Sequence, residues 1–264
     1  MLLMRISMRK IMKQFIQGRS FWVTFFVIVM SAWYEAESQR VVSLTPSVTE
    51  LIVDMGCSDV LVGRTSYCPN VNAVVVGDIL SVNLEKVVSL KPDIVICVGF
   101  VEASTIEKMQ KMGINVKSYK TPRSFDEMCR QTIEIGSLIG VADKAESIVK
   151  EERRRVEELK KKVVKTQKRV LFQIGTRPMF SVVDNTYTQG FIDDLGLINV
   201  SHTTMPSREY VVSQNPDYVI LTTMGGLYKE ESKVWQKLIK ARIIVVDENM
   251  VCSPTPTNYR KSLE

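Results

Sequence analysis

The segment Asn83-Leu-Glu-Lys-Val-Val-Ser-Leu-Lys-Pro-Asp-Ile-Val-Ile96 recurs 124 positions later (207 − 83) as Ser207-Arg-Glu-Tyr-Val-Val-Ser-Gln-Asn-Pro-Asp-Tyr-Val-Ile220, with eight of fourteen aligned residues identical. A spacing this large implies two similar lobes, not a solenoid of short repeats. Asn83 and Ser207 are N-cap residue types, and Glu85 and Glu209 then fall in the first helical turn, where the helix dipole favours negative charge. Pro92 and Pro216 end each short helix by moving the preceding residue out of the right-handed α region. The apolar runs Ile94–Cys97 and Tyr218–Leu221 that follow read as buried strands. Each copy is therefore a helix, a tight turn and a parallel-type strand.

Working outward from the two copies, the chain alternates strand and helix. In the first lobe, residues 40–142, strands are expected at 41–45, 60–63 and 115–119 and helices at 46–55, 104–112 and 124–138. Residues 143–168 break the rhythm with a charged stretch in which Ile148, Val149, Val156, Leu159 and Val163 recur at helical spacing. The pattern predicts one solvated connecting helix of about 25 residues. Residues 169–264 form the second lobe, with a strand at 169–174, a loop at 175–180, a helix near 187–195, the second repeat unit and a strand at 242–246. The fold class is thus α/β: two Rossmann-like lobes with mostly parallel sheets, joined by a single long α-helix, with a ligand cleft between the lobes.

With 264 residues and 45% hydrophobic composition, the chain holds two domain-sized cores. The formal charge of +6 is uneven: residues 1–39 carry five Lys/Arg against two Asp/Glu, which leaves 35 − 5 = 30 basic against 29 − 2 = 27 acidic residues beyond them. A net +3 does not argue for a nucleic-acid partner. The same first 39 residues place Arg5, Arg9, Lys10, Lys13 and Arg19 ahead of the apolar run Phe21–Trp33. That order reads as an export signal, or as an N-terminal anchor if uncleaved, and it makes the leader the chain's own route to the membrane.

Catalytic constellations are absent. The single histidine, His202, has no cluster around it, and no G-x-S-x-G, H-E-x-x-H, Walker or G-x-G-x-x-G pattern occurs. Five cysteines (Cys57, Cys68, Cys97, Cys129 and Cys252) show no C-x-x-C spacing, so neither a metal site nor a cofactor is implied and the disulfide state stays open. Two lobes, a rigid connector and no catalytic set point to a non-enzymatic binder of a small molecule. The competing readings are a two-lobed α/β enzyme or metallocluster/chelatase-type protein, and a surface-anchored sensor.

Four stretches, Val41–Leu51, Leu61–Pro69, Asn83–Asp93 and Arg169–Gly175, resemble the periplasmic substrate-binding proteins of ABC importers for vitamin B12, ferric siderophores and haem. The resemblance runs from Arg40 nearly to the end. It implies a monomer that captures a metal chelate in its cleft and delivers it to a permease dimer outside the cytoplasm, with Glu85 and Glu209 as the two docking carboxylates. It also implies a C-terminal helix beyond the last strand, and because the chain stops at Glu264 the second lobe is expected to lack that cover.

Ligand contacts in open α/β sheets come from loops at strand C-terminal ends. These loops supply Thr45, Pro46 and Ser47 from the first, Tyr67 and Cys68 from the second, Phe100 after the first repeat, and Arg177, Met179 and Phe180 after the connector. Met224 and the segment 249–254 would close the far side. Tyr67, Phe100 and Phe180 suit stacking on a flat macrocycle. The segment Thr65–Pro69 is similar to members linked to corrinoids, which favours cobalamin. Haem stays open through Tyr67 as an axial ligand, and a ferric siderophore would draw on Arg64 and Arg177.

Overall fold

A computed structural model describes residues 39–78, 80–99 and 101–264, so the expected leader and Phe100 lie outside the described residues. The first sheet has strand order β3-β2-β1-β4-β5 and is parallel throughout, built from β1 (Val41–Ser43), β2 (Leu61–Arg64), β3 (Val74–Val75), β4 (Ile94–Val98) and β5 (Val116–Tyr119). Its helices are α1 (Pro46–Asp54), α2 (Leu84–Ser89), α3 (Ala103–Lys111) and α4 (Phe125–Leu138). Because β1 connects outward to β2 while its other neighbour is β4, the order reverses at β1. That is the crevice where doubly wound sheets bind ligands.

The connector is α5 (Ala142–Lys162), 21 residues and about 32 Å long. Its buried stripe is Ala145, Val149, Glu152 and Val156, at helical spacing, and it lies against α4 where Gly136 lets the two backbones approach. The helix stops six residues earlier than the charge pattern predicts. Val163 is already extended and residues 163–168 run out as irregular chain, and the last side chain the helix buries is Val156.

The second sheet has the order β10-β9-β6-β7, with β8 beside the start of β6. Its strands are β6 (Arg169–Thr176), β7 (Met179–Ser181), β8 (Ile198–Asn199), β9 (Tyr218–Thr222) and β10 (Arg242–Val246). The interleaved helices are α6 (Tyr187–Asp194), α7 (Arg208–Ser213), α8 (Tyr228–Leu238), α9 (Glu248–Cys252) and α10 (Pro256–Leu263). Residues 175–180, expected as a loop, are instead the turn of a hairpin: β6 continues through Thr176 and returns antiparallel as β7, with the register slipping between Gln173 and Gly175.

The two repeat units fold alike. Asn83 Oδ1 accepts the Lys86 N–H at 2.9 Å and Ser207 Oγ the Tyr210 N–H at 3.1 Å. The first valine of each pair, Val87 and Val211, is fully buried. Lys91 and Asn215 leave the helices in the left-handed region, at φ 45° and 46°, a conformation natural for asparagine and costing lysine about 1 kcal/mol. The repeated aspartates then cap the neighbouring strands: Asp93 accepts the Arg40 N–H at 2.7 Å and Asp217 the Arg169 N–H at 2.8 Å. Arg40 and Arg169 return the favour by donating to the carbonyls of Leu90 and Gln214. The motif is therefore longer than its sequence identity, and Arg40 and Arg169 belong to it.

The expected lack of a covering helix is not met. Thr255 Oγ1 caps α10 by accepting the Asn258 N–H at 3.1 Å, and Pro256 occupies the first turn, where it needs no partner. Tyr259 enters an aromatic cluster, 4.7 Å from Phe191 in the second lobe and 4.8 Å from Phe125 on α4, and its hydroxyl donates to Asp194 at 2.8 Å. Arg260 forms a buried 2.6 Å ion pair with Glu152 of the connector. This last helix covers the second core and fastens it to the first lobe and the connector at once.

Candidate functional site

A cleft of about 220 Å³ opens at the β1/β4 reversal, lined on one side by Thr45, Pro46, Ser47, Tyr67 and Val98 and on the other by Cys252, Ser253 and Pro254. Buried hydroxyls hold the loop that forms its first wall. Thr45 Oγ1 accepts the Val98 N–H at 3.2 Å, joining the loop after β1 to the end of β4, and Thr49 donates to Ser43 Oγ at 2.8 Å. No side chain caps α1, and Pro46 in its first turn has no N–H to satisfy.

Tyr67 stands 65% exposed at the cleft mouth, an unusual position for an aromatic ring unless it meets a partner. Cys68, grouped with it as a ligand contact, points the other way. Its thiol is buried 3.2 Å from Thr65 Oγ1 and faces the Ser43 carbonyl, so it anchors the turn that presents Tyr67 and does not line the cleft.

The opposite wall is held by a residue that the sequence does not single out. Glu50, on α1, accepts Ser253 Oγ at 2.5 Å and Asn258 Nδ2 at 2.6 Å, which ties the wall of the second lobe to the first. Burial pushes the Glu50 carboxyl above its ordinary value, against the opposing pull of those two hydrogen bonds. Beside it, burial and then Glu248 push the Cys252 thiol up to about 12, so it lines the cleft as a neutral, polarizable group. Among the described residues, the cleft lining carries no charged side chain.

Four other sequence candidates lie at the C-terminal rim of the second sheet, outside this cleft. Arg177, Met179 and Phe180 ride on the β6–β7 hairpin, and Met224 follows β9. Arg177, Phe180 and Met224 are exposed. Arg64 is already occupied, donating to Asn70 Oδ1 at 2.8 Å and to the carbonyls of Val71, Thr65 and Cys68. Trp235, the one tryptophan among the described residues, is fully buried on α8 and belongs to the core.

Glu85 and Glu209 are both exposed, and neither forms an ion pair among the described residues. Its own backbone N–H and the Ser207 hydroxyl hold the Glu209 carboxyl below the usual carboxylate range, so it is charged at neutral pH. His202 is an exposed loop residue 3.4 Å from Asp184. All five cysteines are free thiols, and among the described residues no group of three His, Cys, Asp or Glu side chains is placed to hold a metal ion.

A larger groove of about 510 Å³ runs along α4, α5 and α6. Its charges are mixed and mostly paired, Arg153 with Asp126 and Lys160 with Asp194, which marks a solvated polar surface. Among the described residues no helix is long and apolar enough to cross a membrane.

Residues 41–244 match the sequence profile of the family described as periplasmic binding protein. The chain is 30% identical to an uncharacterised ABC transporter substrate-binding lipoprotein, YvrC, of Bacillus subtilis, over 83% of this chain and 76% of that one. It is 28% identical to a cobalamin-binding protein of Halobacterium salinarum, over 84% of this chain and 67% of the relative. Among solved structures, the periplasmic vitamin B12 binding protein BtuF of Vibrio cholerae shares the fold with a TM-score of 0.73 at 18% identity, covering 85% and 93% of the two chains. Two α/β lobes, a cleft at the strand ends and these matches give one conclusion: the chain belongs to the periplasmic binding protein family, as an extracytoplasmic substrate-binding protein in an ABC-transporter setting and not as an enzyme.

Proposed function

We propose that the cargo is a large metal chelate of the corrinoid type, cobalamin first, clasped between Tyr67 and the Cys252–Pro254 wall. The observation that carries this reading is that, among the described residues, the cleft lining is uncharged, with the exposed ring of Tyr67 at its mouth. A polyanionic ferric siderophore would need several converging arginines. Arg64 is already engaged and Arg177 alone remains at the rim. The cobalamin-binding relative from Halobacterium salinarum supports the same choice.

At about 220 Å³ the cleft is smaller than the roughly 300–1,000 Å³ pockets that enclose drug-sized ligands. A macrocycle would therefore be gripped along one edge, with Tyr67 stacking on a face and the uncapped start of α1 meeting a polar substituent. Haem is the second reading, favoured by the phenol of Tyr67 at a cleft mouth where it could ligate iron.

Delivery would use Glu85 and Glu209 as two exposed carboxylates, one per lobe, entering basic pockets on the two permease subunits. The supporting feature is their recurrence at matching positions with no packing role to explain it. The apolar leader, together with the lipoprotein relative, leaves export followed by release or surface anchoring as the route to this location.

The test is to titrate the purified protein separately with cyanocobalamin, haemin and an anionic triscatecholate ferric siderophore, following visible absorbance and tyrosine fluorescence. Saturable binding of cyanocobalamin at least tenfold tighter than the others, about 1.4 kcal/mol, is expected. Tighter haemin binding with a phenolate-iron absorbance band would replace the cobalamin reading. Docking is tested by Glu85→Lys with Glu209→Lys: loss of permease binding at unchanged cargo affinity is expected, and intact binding would refute it.

A further inference from the structure

The two repeat units differ at one position with a structural consequence. The residue before the glutamate is Leu84 in the first lobe and Arg208 in the second. Leu84 packs into the first lobe's core, whereas Arg208 enters a buried polar network. Its guanidinium grips Glu231 of α8 with both nitrogens, at 2.7 and 2.9 Å, and lies 5.2 Å from the ring centre of Trp235. The same Glu231 oxygen accepts Gln173 Nε2 at 3.0 Å, and Gln173 Oε1 accepts the Trp235 indole N–H at 2.8 Å. Gln173, Glu231 and Trp235 are all buried.

The network does not stop there. Gln173 Nε2 also donates to the Gly175 carbonyl at 3.0 Å, at the register slip where the β6–β7 hairpin begins. That hairpin carries Arg177, Met179 and Phe180. A continuous chain of hydrogen bonds thus runs from the hairpin through Gln173, Glu231 and Arg208 to the helix that bears Glu209. Gln173 and Glu231 are buried, whereas the Arg208 side chain is 34% exposed. At the buried Gln173–Glu231 link a shift of the hairpin has no water to absorb it, so it passes to Arg208 or breaks a bond.

We propose that Arg208, Glu231 and Gln173 are positioning residues that couple the β6–β7 hairpin, at the C-terminal rim of the second sheet, to α7, so that the docking glutamate of the second lobe responds to what displaces the hairpin while Glu85 of the first lobe does not. The functional meaning rests on the docking role proposed above for Glu209. The mechanical link itself does not, and the two are tested separately. The arginine reports on one lobe, which makes the two docking points unequal despite their shared sequence.

The test pushes the hairpin and reads the helix. A Cβ on Gly175 would lie 3.3 Å from both Phe180 Cδ2 and the Pro178 carbonyl, so Gly175→Ala displaces the turn by a few tenths of an ångström. Hydrogen–deuterium exchange of full-length protein then reads α7 (residues 208–213) against α2 (residues 84–89). The α7 amides should change exchange rate by about fivefold or more while α2 stays unchanged. In an Arg208→Leu background, which installs the residue the first lobe uses at this position, the α7 response to Gly175→Ala should shrink to within about twofold.

A merely structural arginine would shift α7 exchange in Arg208→Leu alone but leave its response to the hairpin intact. An unresponsive α7 in the otherwise wild-type protein, or an equal response with and without Arg208, overturns the proposal. Phe180→Ala, at an exposed position, serves as the hairpin perturbation if Gly175→Ala does not fold. Permease binding by Glu209→Lys is read independently: its persistence would remove the docking reading and leave the exchange result standing.

Discussion

Replacing Arg260 by methionine should destabilise the protein by about 3–5 kcal/mol, because it strips the buried carboxylate of Glu152 of its partner. Both side chains are 9% exposed and meet at 2.6 Å, and no other cation bonds Glu152 among the described residues. The second contact of Arg260, to Glu264, involves a half-exposed carboxylate and adds at most about 1 kcal/mol. The loss would therefore come from the orphaned Glu152 and not from the pair's own attraction. Replacing both residues by methionine removes the orphan and should return most of the lost stability, since an apolar pair of similar volume is often neutral or better. Urea unfolding followed by far-ultraviolet circular dichroism measures both. With a slope near 3 kcal/mol/M, the single variant's midpoint should fall by about 1 to 2 M. A single variant losing less than about 1 kcal/mol, or a double variant no better than the single, would refute the reasoning and with it the view that α10 fastens the second lobe to the connector.

Two further outcomes are expected. Gly136→Ala would bring a methyl to 2.4 Å from the Ala145 side chain, so α4 and the connector must part, at a cost of about 1–3 kcal/mol read by thermal or urea unfolding. Glu50, raised above its ordinary value of 4.5 by burial, holds its proton longer when folded than when unfolded. Its contribution to stability is therefore greatest at low pH and declines as pH rises from about 4.5 through the folded pKa. Compared with Glu50→Gln, the wild-type protein should be relatively less stable at about pH 7 than at about pH 4, and a difference that is flat or of opposite sign would count against the buried latch.

The repeat could be read from sequence because its determinants are local. N-caps, a dipole glutamate, a proline and an apolar run all act within fourteen residues. Thr45, Pro46, Ser47 and Tyr67 were equally accessible, since strand ends predict where loops converge, and these four line one cleft. Cys68 differs from Tyr67 only in which way a tight turn points it, and sequence holds no signal for that.

The final helix left a trace in Thr255-Pro256, a cap followed by a first-turn proline, but its stability comes from partners that are distant along the chain. Tyr259 and Arg260 meet residues 65 and 108 positions away. Glu50 and its two partners are separated by 203 and 208 positions. Glu231 and Gln173 likewise become a network only after the sheet has formed. Such contacts depend on tertiary approach, which no short window of sequence encodes.

The central claim is that cargo sits in the 220 Å³ cleft and not in the larger charged groove along the connector. Cyanocobalamin titration of wild-type protein, Tyr67→Ala and Arg153→Ala compares the two sites directly. Loss of the exposed ring should raise Kd by about tenfold or more, while the groove variant stays within about twofold of wild type. Unchanged affinity in Tyr67→Ala together with a large loss in Arg153→Ala would contradict the account.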